Sequence, residues 1–189
     1  MRNLNIFIFT FFIVSSCEVV EGPYQNEINN NGSSETILQK ILIEDFTGHT
    51  CMNCPDAATE LESIKELYPN QVIGIAIHVG NTFARPLPPN SSNKYLTDFR
   101  TKWGEEIDSY GEVSSVGLPK GMINRKDEEP KSKDDWGNVV SEIINNSPLF
   151  DIDISASPFV FGDCDIEVIV KALENVDGEY NIVIAITED

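Results

Sequence analysis

The sequence predicts an α/β domain, a central mixed sheet flanked by helices, followed by a partial antiparallel β-region. Three observations carry that expectation. A short apolar run at 41–46 hands over, through a turn, to a helix-spaced apolar stripe at 57–68. A near-continuous apolar run at 72–79 follows that stripe, as the second, buried parallel strand of a βαβ unit would. From Leu149 the apolar residues switch to period two, and strands separated by short turns read as an antiparallel meander rather than βα alternation.

Taken in order, residues 1–16 read as a targeting segment. Arg2 gives a basic start, and 6–14 is an apolar core interrupted by Thr10, too short to span a bilayer as a helix. Val14-Ser15-Ser16 and then Cys17 follow. This order resembles the lipobox of bacterial lipoproteins, which implies removal of 1–16 and lipid modification of Cys17. An ordinary secretory cleavage or a coincidental cysteine is the alternative. Two or more acyl chains on Cys17 would anchor the chain stably and place it in an oxidising compartment. Residues 17–36 carry Gly22-Pro23, Asn29-Asn30-Asn31-Gly32 and Ser33-Ser34 without apolar periodicity, the composition of a flexible tether.

Residues 37–147 hold the α/β pattern. The strand at 41–46 enters the turn Thr47-Gly48-His49-Thr50 and then Cys51-Met52-Asn53-Cys54. Ala57, Leu61, Ile64, Leu67 and Tyr68 form the helical stripe, which Pro69-Asn70 stops. After the run at 72–79 comes a Pro-rich irregular loop, 80–93. A second helix is expected at 94–103, with Leu96, Phe99 and Trp103 on one face, then a polar connection to 116 containing Gly104 and Gly111. Leu118-Pro119 opens a short strand at 120–124. Asp134-Asp135 would cap a third helix whose stripe is Trp136, Val139, Val140, Ile143 and Ile144.

Residues 148–189 read as a partial, β-sandwich-like region, truncated or abbreviated. Phe150, Ile152, Ile154 and Ala156 alternate with Asp151, Asp153, Ser155 and Ser157, as in a half-buried strand. Two further strands are expected at 165–173 and 180–187, joined by Asn175-Val176-Asp177-Gly178. Cys164, at a strand start, reads as a buried, inert thiol.

The 189 residues carry a formal charge of -18. Such a surface repels phosphates, so nucleic acid is excluded as a partner, and an acidic envelope protein fits. Four cysteines in a chain this long do not make a disulfide framework. Cys51 and Cys54, three apart at a helix N-terminus, can act as one redox unit. Unpaired backbone N–H groups and the helix dipole favour a Cys51 thiolate. Cys54, one turn in and expected to be more buried, would resolve a mixed disulfide. Pro55 fits a first turn that tolerates a missing N–H. Asp45, held in an apolar strand, would have a raised pKa and accept the Cys54 proton. The other reading of Asp45 is a strand-end acid hydrogen-bonded to the turn backbone. His49 reads as a solvated turn histidine, with thiolate stabilisation as the alternative, and His78 as a packing residue. Zinc held by Cys51, Cys54, His49 and His78 would lack the second C-x-x-C or spaced histidine pair of a complete site, so no metal and no cofactor is expected.

Residues 41–147 resemble a thioredoxin fold. Asp45-Phe46 stands ahead of Cys51 as the buried Asp-Phe pair does in thioredoxins, and Leu118-Pro119 opens the third strand as their cis-proline does. Residues 43–51, Ile-Glu-Asp-Phe-Thr-Gly-His-Thr-Cys, and 117–125, Gly-Leu-Pro-Lys-Gly-Met-Ile-Asn-Arg, resemble more closely the lipoprotein family named for a twenty-eight-kilodalton outer-membrane protein of Gram-negative bacteria. That resemblance covers nearly the whole chain. It implies an outer-membrane, lipid-anchored protein of the cell envelope that exchanges disulfides with extracytoplasmic thiol- or disulfide-containing proteins. Cys51, Cys54, Asp45 and Pro119 would form the reactive centre, with the backbone of Leu118 pairing a bound peptide beside a cis Pro119; a trans-proline in a loop is the alternative. Thr50 departs from the usual Trp, and Met52-Asn53 from Gly-Pro. Residues 125–133 are charged and contain Pro130, so a fourth strand there must be short, or 150–156 must take that edge. The competing reading is a non-catalytic surface or adhesion lipoprotein, with the fold as scaffold and Cys51–Cys54 as a structural disulfide.

Overall fold

The computed structural model describes residues 36–89, 94–126, 129–158 and 162–188. The predicted leader, Cys17 and all of the tether but residue 36 lie outside the described residues. The described core is a mixed α/β arrangement built on a three-stranded sheet. Its central strand, β1 (Ile41–Thr47), runs parallel to β2 (Val72–His78) and antiparallel to β3 (Lys120–Ile123), in the order β2-β1-β3.

Strand alternation gives β1 two faces. Ile41, Ile43 and Asp45 point one way, and Leu42, Glu44 and Phe46 the other. On the first face Ile41, Ile43 and Ile123 pack with Ala57, Leu61 and Ile64 of α1 (Cys54–Leu67) and with Trp136 and Val140 of α3 (Lys133–Ile143). On the second, Phe46, Met122, Val79 and Val113 form a smaller cluster joined by Ile77, Ile107 and Leu118. Burying each large aliphatic side chain contributes about 1.5–3 kcal/mol, so the first face dominates.

The strand at 41–46, the first helix, the parallel pairing of 72–78 with β1 and the short strand at 120–123 lie where the sequence places them. Several details differ. β2 is parallel but forms an edge of the sheet, so it is only half-buried rather than fully enclosed. The second helix is α2 (Lys102–Gly111), beyond the predicted 94–103. Its N-cap is Thr101, whose Oγ1 accepts from Gly104 N at 2.9 Å. Its buried face is Gly104, Asp108 and Gly111. A Cβ on Gly104 would sit 3.0 Å from Ile77 Cγ2, and one on Gly111 would sit 2.9 Å from Met122 Sδ. These glycines are points of contact, whereas Leu96, Phe99 and Trp103 remain exposed. In α3 the N-cap is Ser132, and Asp134 and Asp135 lie in the first turn, where the positive end of the helix dipole favours them.

The fourth strand shrinks to one antiparallel bridge, in which Gly121 and Lys131 exchange N–H···O bonds of 2.9 and 2.8 Å. Asn124 and Arg125 both take positive φ (50° and 47°), turning the chain away, and Pro130 has no N–H to extend the ladder. Residues 150–156 do not take that edge. They form β4 (Phe150–Ala156), which pairs antiparallel with β5 (Ile166–Ala172) in a separate two-stranded sheet. The register puts Phe150, Ile152, Ile154 and Ala156 beside Ala172, Val170, Val168 and Ile166, an all-apolar face that stays largely exposed instead of half-buried. The predicted strand at 180–187 is not one. Its alternation would suit a sheet face, but among the described residues no backbone pairs with it, and its visible tie is an edge-to-face contact of Tyr180 with Phe150 at 4.9 Å. Cys164 is a free, half-exposed thiol rather than a buried one, with Sγ 3.1 Å from the Ser157 carbonyl oxygen.

Candidate functional site

The C-terminal end of β1 delivers the chain into a tight turn. Cys51 N donates to Gly48 O at 2.9 Å, which leaves His49 and Thr50 at the corner. The connection after β2 is fastened to this turn. Thr50 donates twice to the Phe83 carbonyl, from N at 3.0 Å and from Oγ1 at 2.9 Å. A Cβ on Gly48 would lie 2.5 Å from Phe83 C, so only glycine admits so close a backbone.

Cys51 and Cys54 form a disulfide with a Cα–Cα distance of 5.4 Å. Cys54 is the first residue of α1, and Pro55 lies in the first turn, where no N–H is required. The two cysteines are 6% and 5% exposed, so the expected difference in their burial is not marked.

Asp45 lies on the face of β1 that packs against α1 and α3. Its cross-strand neighbours are Ala76 and Gly121, two small residues that leave room beside it. The Trp136 indole fills that room: a Cβ on Gly121 would be 2.6 Å from it. Trp136 spends its own N–H on the Lys131 carbonyl at 3.2 Å. Among the described residues Oδ1 has no hydrogen-bond partner, and burial raises the pKa from 3.8 to about 7. A turn-backbone hydrogen bond, the mark of a purely structural acid, is missing at Oδ1.

The Leu118-Pro119 bond is cis. Pro119 stands one residue before Lys120, the partner of Phe46, which puts it at the same end of the sheet as the disulfide turn. The topology thus gathers Asp45, Cys51–Cys54 and Leu118-Pro119 around the C-terminal end of β1. Cys17 lies outside the described residues.

His49 is half-buried rather than a solvated turn residue. Its ring stacks on Tyr95 (centroids 5.5 Å apart, planes at 8°) and meets Phe99 at 5.9 Å and His78 at 6.2 Å. Both ring nitrogens are enclosed and, among the described residues, without hydrogen-bond partners. His78 also packs on Phe99, at 5.2 Å, and its pKa is lowered by burial and, less, by His49. Among the described residues these histidines do not join the cysteines in any group of three or more metal-ligating side chains.

No protein-family model matches the chain, and no curated protein does. A solved structure that resembles it is the crystal structure of a protein from Agrobacterium tumefaciens, at 17% identity and a TM-score of 0.41. The match covers 71% of this chain and 58% of that one, so this chain spans less than two thirds of that protein's length.

Sequence reasoning missed two features of the neighbourhood. Glu44 is buried opposite Asp45 and receives a bidentate ion pair from Arg125, with Nη2–Oε1 at 2.5 Å and Nε–Oε2 at 2.8 Å. Glu44 within an otherwise apolar strand was the available signal. The ring cluster on His49 had no local signal, because Tyr95 and Phe99 come from a loop that periodicity cannot place.

Proposed function

We propose that this chain is an envelope-tethered, thioredoxin-like lipoprotein that exchanges disulfides with extracytoplasmic proteins through Cys51 and Cys54. The observation that carries the reading is Asp45: a buried carboxyl at the same sheet end as the C-x-x-C segment, its Oδ1 without a hydrogen-bond partner among the described residues, whose pKa is raised to about 7. A scaffold has no use for a carboxyl kept at the midpoint of its titration near neutrality. The sheet order β2-β1-β3, the disulfide at the start of α1 and the cis bond before Pro119 support the thioredoxin-like assignment. The sequence around Cys17 supports the lipid anchor, the outer-membrane location and membership of the lipoprotein family that the motifs resemble.

In the exchange, a substrate thiolate attacks Cys51 Sγ. A bond forms between the substrate sulfur and Cys51 as the Cys51–Cys54 bond breaks. Cys54 leaves with the electron pair and takes the proton that Asp45 holds below about pH 7. A second substrate thiolate then attacks its own partner sulfur, releasing oxidised substrate and a Cys51 thiolate. In the reverse direction the Asp45 carboxylate takes the Cys54 proton as that sulfur attacks. Pro119 stands at the same sheet end as the reacting pair, where the backbone of Leu118 would align an extended segment of the substrate.

The test is a Cys54→Ser variant, which leaves Cys51 unable to resolve a mixed disulfide. Extracytoplasmic proteins should accumulate covalently on Cys51 and be absent from a Cys51→Ser control; equal recovery from both variants refutes the reading. One observation favours the second reading, a structural disulfide in a binding scaffold: the two cysteines are only 6% and 5% exposed. That reading predicts no trapped partner and a pair that resists reduction.

A further inference from the structure

Three consecutive residues precede Cys51, and Phe83, Tyr95 and Phe99 hold them in different ways. Gly48 is held by backbone contact with Phe83, and Thr50 by two hydrogen bonds to the Phe83 carbonyl. His49 is held by ring faces alone, Tyr95 flat against it and Phe99 edge-on. Its enclosed nitrogens make no hydrogen bond, a cost that hydration would relieve if the rings separated. The His49 contact is therefore the fastening that opens most cheaply. Tyr95 and Phe99 are 46% and 54% exposed, so they can swing outward without disturbing either core cluster. Tyr95 sits at a chain corner, with φ of 62° and its carbonyl accepting from Leu87 N at 2.8 Å. The cysteines need some such opening, because a thiol must approach along the S–S axis to reach a sulfur that is almost enclosed.

We infer that His49 is a positioning residue that guards the Cys51–Cys54 disulfide: its stack with Tyr95 and Phe99 holds 94–99 against the turn, and thiol attack on Cys51 requires that stack to part. The inference rests on the exchange reading only in taking Cys51 Sγ as the atom to be reached. It assigns His49 a role through its ring faces, not through proton transfer.

The experiment measures the rate at which dithiothreitol reduces the disulfide in the full chain, read by alkylation and mass. One dithiothreitol thiolate attacks Cys51 Sγ and expels Cys54; the second closes the reagent's ring, leaving two protein thiols and oxidised reagent. His49→Ala and Tyr95→Ala should each speed reduction about tenfold, the weight of the lost ring pairings. His49→Phe keeps the ring faces and should stay within about twofold of the natural chain. Unchanged rates in His49→Ala and Tyr95→Ala overturn the inference, as does a His49→Phe rate that matches His49→Ala. If His49→Ala fails to fold, Tyr95→Ala decides, because its ring lies at the surface. A small thiol needs no protein partner, so these rates stand even if Cys54→Ser traps nothing. Trapping with unchanged rates would leave the exchange reading intact and remove the guard.

Discussion

Glu44 and Asp45 are neighbours on β1, each 2% exposed, and they face opposite ways. On the Glu44 side Arg125 reaches in with two hydrogen bonds, so both carboxyl oxygens are matched. On the Asp45 side the neighbours are Ala76, Gly121 and the Trp136 indole, and Oδ1 is unmatched. A buried charge with a fitted partner stabilises one arrangement and does little else. A buried carboxyl without one takes up and releases protons near neutrality, at a cost to stability. The contrast separates a structural acid from a reactive one on a single strand.

Removing the partner on the Glu44 side should have the largest effect. Arg125→Met strands a buried carboxylate and is expected to cost about 3–5 kcal/mol in chemical denaturation. Adding Glu44→Leu to it should recover most of that loss; failure to recover would mean that Arg125 acts through something other than Glu44. On the other side, Asp45→Asn should stabilise the fold by about 4 kcal/mol at alkaline pH. The sign follows from a folded pKa raised from 3.8 to about 7. The folded state holds its proton where the unfolded state has lost it, so stability is full below 3.8 and declines as pH rises through about 7. Asp45→Asn should abolish that decline.

Gly121→Ala comes next, because it presses the Trp136 indole off the pocket beside Asp45, and should cost about 1–3 kcal/mol by thermal or chemical unfolding. The smallest effect concerns His78, whose folded pKa lies below 6.5. Its contribution is full above 6.5 and lost as pH falls through the lower folded value. His78→Phe should flatten the acid-side loss in chemical denaturation across pH. An acid loss as steep in His78→Phe as in the natural chain would mean that His78 is not its source.

The sequence made legible those parts whose signals are local and apolar. The strand at 41–46, the stripe of α1 and the stripe of α3 all bury large side chains at regular spacing. Asp45, Cys51, Cys54 and Pro119 could be read together because one strand, one turn and one register place them at the same sheet end. α2 was illegible for a physical reason. Its buried face is Gly104 and Gly111, which pack by being small, and Asp108, which accepts from Ser114 N and Oγ, and none of the three carries a hydropathy signal. The apolar residues that drew the prediction to 94–103 are exposed. At 180–187 the pattern encoded a sheet face, but pattern does not supply a backbone partner. The ring cluster on His49 and the Glu44–Arg125 pair depend on contacts far apart in sequence, which periodicity does not encode.

The most direct measurement compares dithiothreitol reduction of Cys51–Cys54 in the natural chain and in Asp45→Asn across pH, taken as a ratio of rates so that the reagent's own titration cancels. A proton donor at Asp45 makes the natural chain faster by about a hundredfold in mildly acid solution, with the ratio falling as pH rises through about 7. A ratio near one at every pH, or one that does not change across that range, would contradict a proton-transfer role for Asp45.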